Sequence, residues 1–263
     1  MRIYGVDFTC APRRAKPITL ACGFLRKNEF FLEQVEKLET FAEFEAFLAR
    51  PGPWLGGFDF PFSLPRELVR DLNWPAGWKE LVRHCAAMTR REFREALDAY
   101  RTTRPAGRRY AHRATDLPAG SSSPMKLVNP PVALMFQEGA PRLAASGVHV
   151  PALLDGDSKR VALEAYPGLL ARKQLGIRES YKSDTRSEQT PARAAARRRI
   201  VQALKKGHPL GIMLKTKADL VADGSGDTLD AVICAVQAAW AARQPGYGLP
   251  ARVPRAEGWI ITA

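Results

Sequence analysis

The pattern of hydrophobic and polar positions predicts a sheet that begins almost at the first residue. Runs rich in β-branched and aromatic residues, bounded by Pro, Gly or charged residues, are typical of strands. Such runs cover residues 2–9, 17–25, 28–38, 54–60 and 159–167. The third run is ambiguous, because it passes from Phe30-Phe31-Leu32 into a polar stretch. Read as a strand, it completes an antiparallel meander of the first three strands.

Apolar residues spaced three and four apart predict helices between and after these strands. The predicted helices cover residues 40–49, 190–206, 216–222 and 227–243. Thr40 and Glu43 have the spacing of a capping box. Residues 227–243 are apolar on most sides, so this helix is expected to pack against the sheet. Strands that alternate with helices indicate an α/β fold, with a mixed sheet and helices on both faces.

The segment 75–157 lacks the pattern of a regular core. It contains helical stretches at about 78–101, followed by stretches rich in Pro, Gly and Ser. We interpret it as an inserted subdomain of helices and loops within a single domain that spans residues 1–263. Residues 258–262 are expected to form a terminal strand or a tail.

Acidic residues stand where the pattern otherwise predicts buried positions. Asp7 lies within the first strand, Asp59 at the end of the fourth and Glu164 within the fifth, while Asp227 and Asp230 lie on one face at the start of the last helix. A buried carboxylate costs free energy unless a partner compensates it. Taken singly, Asp59 also suits a turn, Glu164 a salt-bridged strand position and Asp227 a helix cap. Together they predict carboxylates that meet in space and hold a divalent metal ion.

Carboxylates that converge raise one another's pKa, and a divalent cation removes that conflict. Mg²⁺ or Mn²⁺ prefers such oxygen ligands. Two such ions about 3.5–4 Å apart activate water and stabilise the leaving oxygen of a phosphodiester. This chemistry needs no nucleophilic Ser or Cys.

Positive charge is concentrated in two segments of a chain whose net charge is +13. Residues 89–113 hold eight arginines against three acidic residues, and residues 172–206 hold eleven basic residues against three. Localised positive charge indicates a polyanionic partner, here nucleic acid. The alternative is a set of solvated helix faces. Arg109, Arg113 and Lys182 are the candidate substrate-binding residues.

Other classes of site and compartment fit the sequence poorly. There is no P-loop, no HExxH and no GxSxG motif. The four cysteines are scattered and are expected to be buried reduced thiols. No run of about 18 apolar residues predicts a membrane span, and no apolar leader precedes the first strand, so a cytoplasmic protein is expected.

Several short motifs carry a family resemblance. They are Gly5-Val6-Asp7, Gly57-Phe58-Asp59-Phe60-Pro61, Glu164-Ala165-Tyr166-Pro167, Tyr181-Lys182 and Gly226-Asp227-Thr228-Leu229-Asp230-Ala231. Their order over about residues 3–240 resembles the family called domain of unknown function 429, described as predicted nucleases. The first, second and last also resemble the ribonuclease H-like superfamily.

The resemblance implies a ribonuclease H-like sheet and a metal-dependent nuclease. It implies Asp7 and Asp59 as core metal ligands, with Asp230 and Asp227 completing the site. For Glu164 it leaves open an additional ligand or a structural partner for Lys182. Two other functions stay open: a nucleic-acid-binding protein without catalysis, and a phosphotransferase or phosphohydrolase acting on a small phosphorylated metabolite.

Overall fold

The computed structural model describes residues 1–254 and 256–263. Within these residues the strands are β1 (Arg2–Asp7), β2 (Ile18–Arg26), β3 (Glu29–Leu38), β4 (Trp54–Asp59), β5 (Val148–His149), β6 (Asp157–Glu164) and β7 (Met213–Lys215). The α helices are α1 (Phe41–Leu48), α2 (Arg66–Asp71), α3 (Trp78–Ala87), α4 (Arg90–Thr102), α5 (Asp116–Ala119), α6 (Val132–Ser146), α7 (Pro191–Lys205) and α8 (Asp227–Ala241). One π helix, Leu169–Gln174, follows β6.

The strands form one mixed sheet in the order β5-β6-β4-β1-β2-β3-β7. β1, β2 and β3 pair antiparallel, so the predicted meander is confirmed and the ambiguous third segment is a strand. β4 lies parallel to β1 on the other side, and β6 lies parallel to β4. The mixed α/β class predicted from the sequence is therefore confirmed, with β1 in the middle of the sheet.

Helices cover both faces of this sheet. On one face Tyr4 and Val6 of β1 join a cluster of buried side chains from α1, α3, α4 and α6. On the other face Ile3 joins a second cluster, built with α7 and α8. We call the second one the α8 face. Alternate side chains of β1 thus enter different cores, as the pleat of a strand requires.

The segment that the sequence analysis treats as an insertion contributes to the first of these cores. Trp78 of α3, Phe93 of α4 and Phe136 of α6 are buried in the same cluster as Phe58 of β4. The helical stretch at 78–101 is divided into α3 and α4, because Thr89 caps a new helix by accepting from the Glu92 amide at 3.2 Å. Helix α6 begins directly after two prolines, and the sequence pattern does not predict it.

The predicted helix at residues 216–222 is wrong. Short polar side chains take the backbone amides there: Thr216 Oγ1 accepts from Ala218 N at 3.0 Å, and Asp219 Oδ1 from Val221 N at 2.9 Å. Such local bonds compete with the helical pattern, and the segment forms bends instead. At the carboxyl end, the expected strand or tail is a single parallel bridge between Ile260 and Glu164.

The four cysteines are free and buried, as the sequence predicted. Among the described residues, no helix combines the length and the apolar character needed to cross a membrane.

Candidate metal centre

Two of the predicted site residues are placed by adjacent strands. Asp7 is the last residue of β1 and Asp59 the last residue of β4. The two strands are parallel and in register, with Asp7 opposite Asp59. Both carboxylates therefore stand at the same edge of the sheet.

Helix α8 reaches that edge because two glycines let it lie directly on the strands. A Cβ atom on Gly5 would be 2.0 Å from the Ala231 carbonyl oxygen, and one on Gly57 would be 2.4 Å from the Cys234 carbonyl oxygen. With no side chains at these positions, the helix backbone contacts β1 and β4. The first turn of α8 then places Asp230, which is fully buried, over the strand ends.

The structure brings Asp7, Asp59 and Asp230 together, and we call them the aspartate trio. Each offers a carboxylate oxygen, and these oxygens lie within 4.8 Å of one another. Oxygen donors at this separation, on two strand ends and one helix, match the preference of a hard divalent cation. The donor set therefore fits Mg²⁺ or Mn²⁺.

Burial and the repulsion of neighbouring carboxylates raise the pKa of two members of the trio, Asp7 and Asp59. Burial raises the pKa of Asp7 well above its usual range; Lys182 opposes the rise, while Asp227, Asp230 and Asp59 add to it. Burial likewise raises the pKa of Asp59 to about 7, against the lowering effect of Lys182. A cation placed among these groups would relieve both effects.

Asp230 is held by two neighbouring residues of one loop. The Tyr181 hydroxyl donates to Asp230 Oδ1 at 2.6 Å, and the Lys182 ammonium group donates to Oδ2. Burial lowers the pKa of Lys182, but Asp230, Tyr181 and the other trio members outweigh it, and the pKa is raised well above its usual range. Lys182 is therefore a cation in direct contact with the trio.

Asp227 lies beside the trio and has its own cation. Lys16 Nζ donates to its two oxygens at 2.8 and 3.0 Å and to Asp184 at 2.6 Å. Asp227 is not the helix cap that the sequence left open, since Gly226 occupies that position. The structure thus places Asp227 next to the site, in an ion pair with Lys16.

Glu164, the remaining predicted ligand, is bound within the protein. Both its oxygens accept from Arg113, at 2.6 and 2.7 Å, and one also accepts from the Phe62 amide at 3.0 Å. Burial raises the pKa of Glu164, and Arg113 opposes the rise. Of the two roles that the sequence left open, a structural one fits, but its partner is Arg113 and not Lys182.

The other two candidate substrate-binding residues, Arg113 and Arg109, are placed differently from Lys182. The Arg113 side chain is only 1% exposed and bonds Glu164 and Asp116, so it has no free face for a phosphate. Arg109 is exposed and is not among the residues that line the cavity above the trio. Lys182 lines that cavity.

That cavity measures about 710 Å³ and contains the whole trio. Its wall includes three cations that the sequence analysis did not single out: Lys126, Arg172 and Arg178. Lys126 donates to the Asn129 carbonyl and Arg172 to the Tyr166 hydroxyl, so neither charge is neutralised by these bonds. Arg172 and Arg178 belong to the second basic segment. That concentration of positive charge is the sequence feature that could have identified them as cavity residues. Another cavity, of about 640 Å³, lies beside β3 and β7 and contains none of these groups.

The fold and the site together define a class of protein. It is a mixed α/β protein with a cluster of carboxylates at the carboxyl edge of its central parallel strands. The model of the family described as "Protein of unknown function (DUF429)" matches residues 5–255. The chain belongs to this family, as the sequence motifs predicted. Searches of curated proteins and of solved structures found no match.

Proposed function

We propose that this protein is a metal-dependent nuclease that hydrolyses phosphodiester bonds in nucleic acid. The observation that carries the proposal is the aspartate trio, whose oxygens lie within 4.8 Å of one another at the edge of a sheet. A structural role alone does not account for three acidic groups gathered at one point, two of which, Asp7 and Asp59, have a raised pKa.

The arrangement of the strands supports a ribonuclease H-like fold. The family resemblance implies a mixed sheet whose first three strands are antiparallel. The order β3-β2-β1-β4, with β4 parallel to β1, agrees with that expectation. Because a shared fold does not define an activity, the proposal depends on the site.

Each part of the cavity has a role in the proposed reaction. Asp7, Asp59 and Asp230 provide the oxygen ligands for Mg²⁺ or Mn²⁺. When bound, the metal supplies charge stabilisation and a water of lowered pKa. Lys126 and Arg172 lie on the cavity wall, where they hold phosphates of the substrate backbone.

The test is cleavage of labelled single-stranded, duplex and branched DNA and RNA by the wild type and by Asp7→Asn. We expect cleavage with Mn²⁺, none with EDTA, and a fall to background in the variant, which keeps the shape of the side chain but loses its charge. Asp155→Asn, at a fully exposed position, is the matched control and should cut normally.

Full activity of Asp7→Asn would contradict the site assignment. Binding without cleavage, unchanged by the variant, would instead favour a nucleic-acid-binding protein without catalysis. Absence of both would direct the search to small phosphorylated molecules.

A further inference from the structure

Both oxygens of Asp230 are already engaged, by adjacent residues of one loop. Tyr181 supplies a neutral hydroxyl, and Lys182 supplies a full positive charge. Lys182 also acts on the other two trio members, since its charge opposes the rise in pKa of both Asp7 and Asp59. One ammonium group therefore compensates all three carboxylates.

The path of the Lys182 side chain is built into the start of α8. A Cβ atom on Gly226 would lie 2.7 Å from Lys182 Cβ and 3.1 Å from its Cδ. The aliphatic part of Lys182 thus lies against the bare backbone of Gly226, where any side chain would displace it. This close packing directs the ammonium group to Asp230.

The loop backbone is held while the Lys182 side chain remains accessible. Arg197 Nη1 donates to the Tyr181 carbonyl at 2.7 Å, and the Ser183 amide donates to the Gly224 carbonyl at 3.1 Å. The Lys182 side chain is nevertheless 42% exposed. Because Lys182 also lines the cavity, open space lies beside its ammonium group.

We propose that Lys182 is the resident counter-ion of the aspartate trio and competes with the divalent metal ion for Asp230. The inference rests on the proposed metal site. An ammonium ion and a divalent cation repel each other strongly at contact distance in a poorly solvated site. Metal entry therefore displaces Lys182 from Asp230, whereas the uncharged Tyr181 hydroxyl stays and orients the carboxylate. Lys182 in this way sets the metal affinity of the site.

The experiment is calorimetric titration of the intact protein with Mn²⁺, for the wild type, Lys182→Met and Lys16→Met. Lys16 is the matched control, because it lines the same cavity but bonds Asp227 and Asp184 instead of the trio. We expect Lys182→Met to bind Mn²⁺ at least tenfold more tightly than the wild type. Lys16→Met should change the affinity less than about threefold, since the influence of a more distant charge is weaker.

Melting temperature gives a second readout that does not depend on activity. Without metal, Lys182→Met should have a lower melting temperature than the wild type, because its trio lacks a counter-ion. Addition of Mn²⁺ should raise the melting temperature of the variant by more than that of the wild type. If Lys182→Met does not fold without metal, Lys182→Gln keeps a hydrogen-bond donor for Asp230 without the charge and should show the same tighter binding.

The outcomes separate this inference from the proposed function. Mn²⁺ binding by the wild type with equal or weaker binding by both Lys182 variants would overturn the inference and leave the metal site standing. Equal tightening by Lys16→Met would overturn it as well, because general charge would then explain the effect. Absence of Mn²⁺ binding in every protein would overturn both proposals, whereas binding by the Lys182 variants alone would support the inference.

Discussion

Among single residues, Asp59 makes the stability of the metal-free protein depend on pH. Burial raises the pKa of Asp59 from 3.8 to about 7. A carboxyl group with a raised pKa in the folded state favours folding at low pH. That stability is present below about pH 4 and is lost as the pH rises through about 7.

Asp59→Asn should therefore stabilise the metal-free protein, and more so as the pH rises. The free energy of unfolding of the variant should exceed that of the wild type by an amount that grows by up to ~1.4 kcal/mol per pH unit between about pH 4 and 7. Urea unfolding at several pH values, with EDTA present, measures the difference.

The control for this experiment is Asp155→Asn, since that side chain is fully exposed. It should follow the wild type at every pH. A constant difference between Asp59→Asn and the wild type over this range would contradict the raised pKa of Asp59.

The partner of Glu164 is ambiguous from the sequence, and it lies in a distant part of the chain. A glutamate inside an apolar strand needs a partner, and the sequence offers many cations. In the structure the partner is Arg113, which is 51 residues away in the chain. Its Nη2 atom lies 2.6 Å from Glu164 Oε1. The planar guanidinium of Arg113 matches both carboxylate oxygens, which a lysine cannot do.

At the scale of elements, the site depends on how closely α8 approaches the sheet. Gly56 and Gly57 are neighbours in β4 but face opposite sides of it. A Cβ atom on Gly57 would meet the Cys234 carbonyl oxygen of α8 at 2.4 Å, whereas the nearest atoms to one on Gly56 belong to side-chain rings, Phe58 at 2.7 Å and Trp54 at 3.5 Å.

Gly57→Ala should consequently lower both stability and metal affinity. Forcing a methyl group between strand and helix costs ~1–3 kcal/mol, and it moves Asp230 away from Asp7 and Asp59. Thermal unfolding and Mn²⁺ titration measure the two effects.

Gly56→Ala is the matched variant, because side chains give way more easily than backbone. It should lose less stability and bind Mn²⁺ as the wild type does. Equal loss of metal binding in the two variants would contradict the role of close docking of α8.

At the scale of the whole molecule, the two basic segments make different contributions to the cavity. Residues 172–206 contribute Arg172, Arg178 and Lys182 to its wall. Residues 89–113 contribute only Arg113, whose charge is paired with Glu164 and Asp116. Of the positive charge that these two segments bring to the cavity wall, the unpaired part thus comes from the second segment.

Removing one wall cation should weaken nucleic-acid binding and its dependence on salt. For Arg172→Ala or Arg178→Ala we expect the slope of log K against log[salt] to fall by about 1, as for one lost phosphate contact. Fluorescence anisotropy with a labelled oligonucleotide at several salt concentrations measures this slope.

Arg109→Ala removes an exposed arginine that does not line the cavity, and it should leave the slope unchanged. A fall as large as that of the wall variants would show that nucleic acid binds over the basic surface in general.

Features that depend on local pattern could be predicted from the amino-acid sequence. Runs rich in β-branched and aromatic residues predicted the meander, and Thr40 with Glu43 predicted the start of α1, whose capping box is present. Prediction from the sequence failed at residues 216–222, where short polar side chains bind nearby backbone amides. It also missed helix α6, which follows two prolines. Acidic residues in apolar surroundings indicated Asp7, Asp59 and Asp230, because burying a charge is costly without a reason. The same reasoning also indicated Asp227 and Glu164, which pair with basic residues instead.

Which charged side chains meet depends instead on how the strands and helices pack. Parallel pairing of β1 and β4 sets Asp7 opposite Asp59, and Gly5 and Gly57 let α8 bring Asp230 to them. The same packing pairs Lys182 with Asp230, 48 positions apart in the chain, and Arg113 with Glu164, 51 positions apart. Such choices depend on distances of a few ångströms between elements, and a one-dimensional pattern carries no record of them.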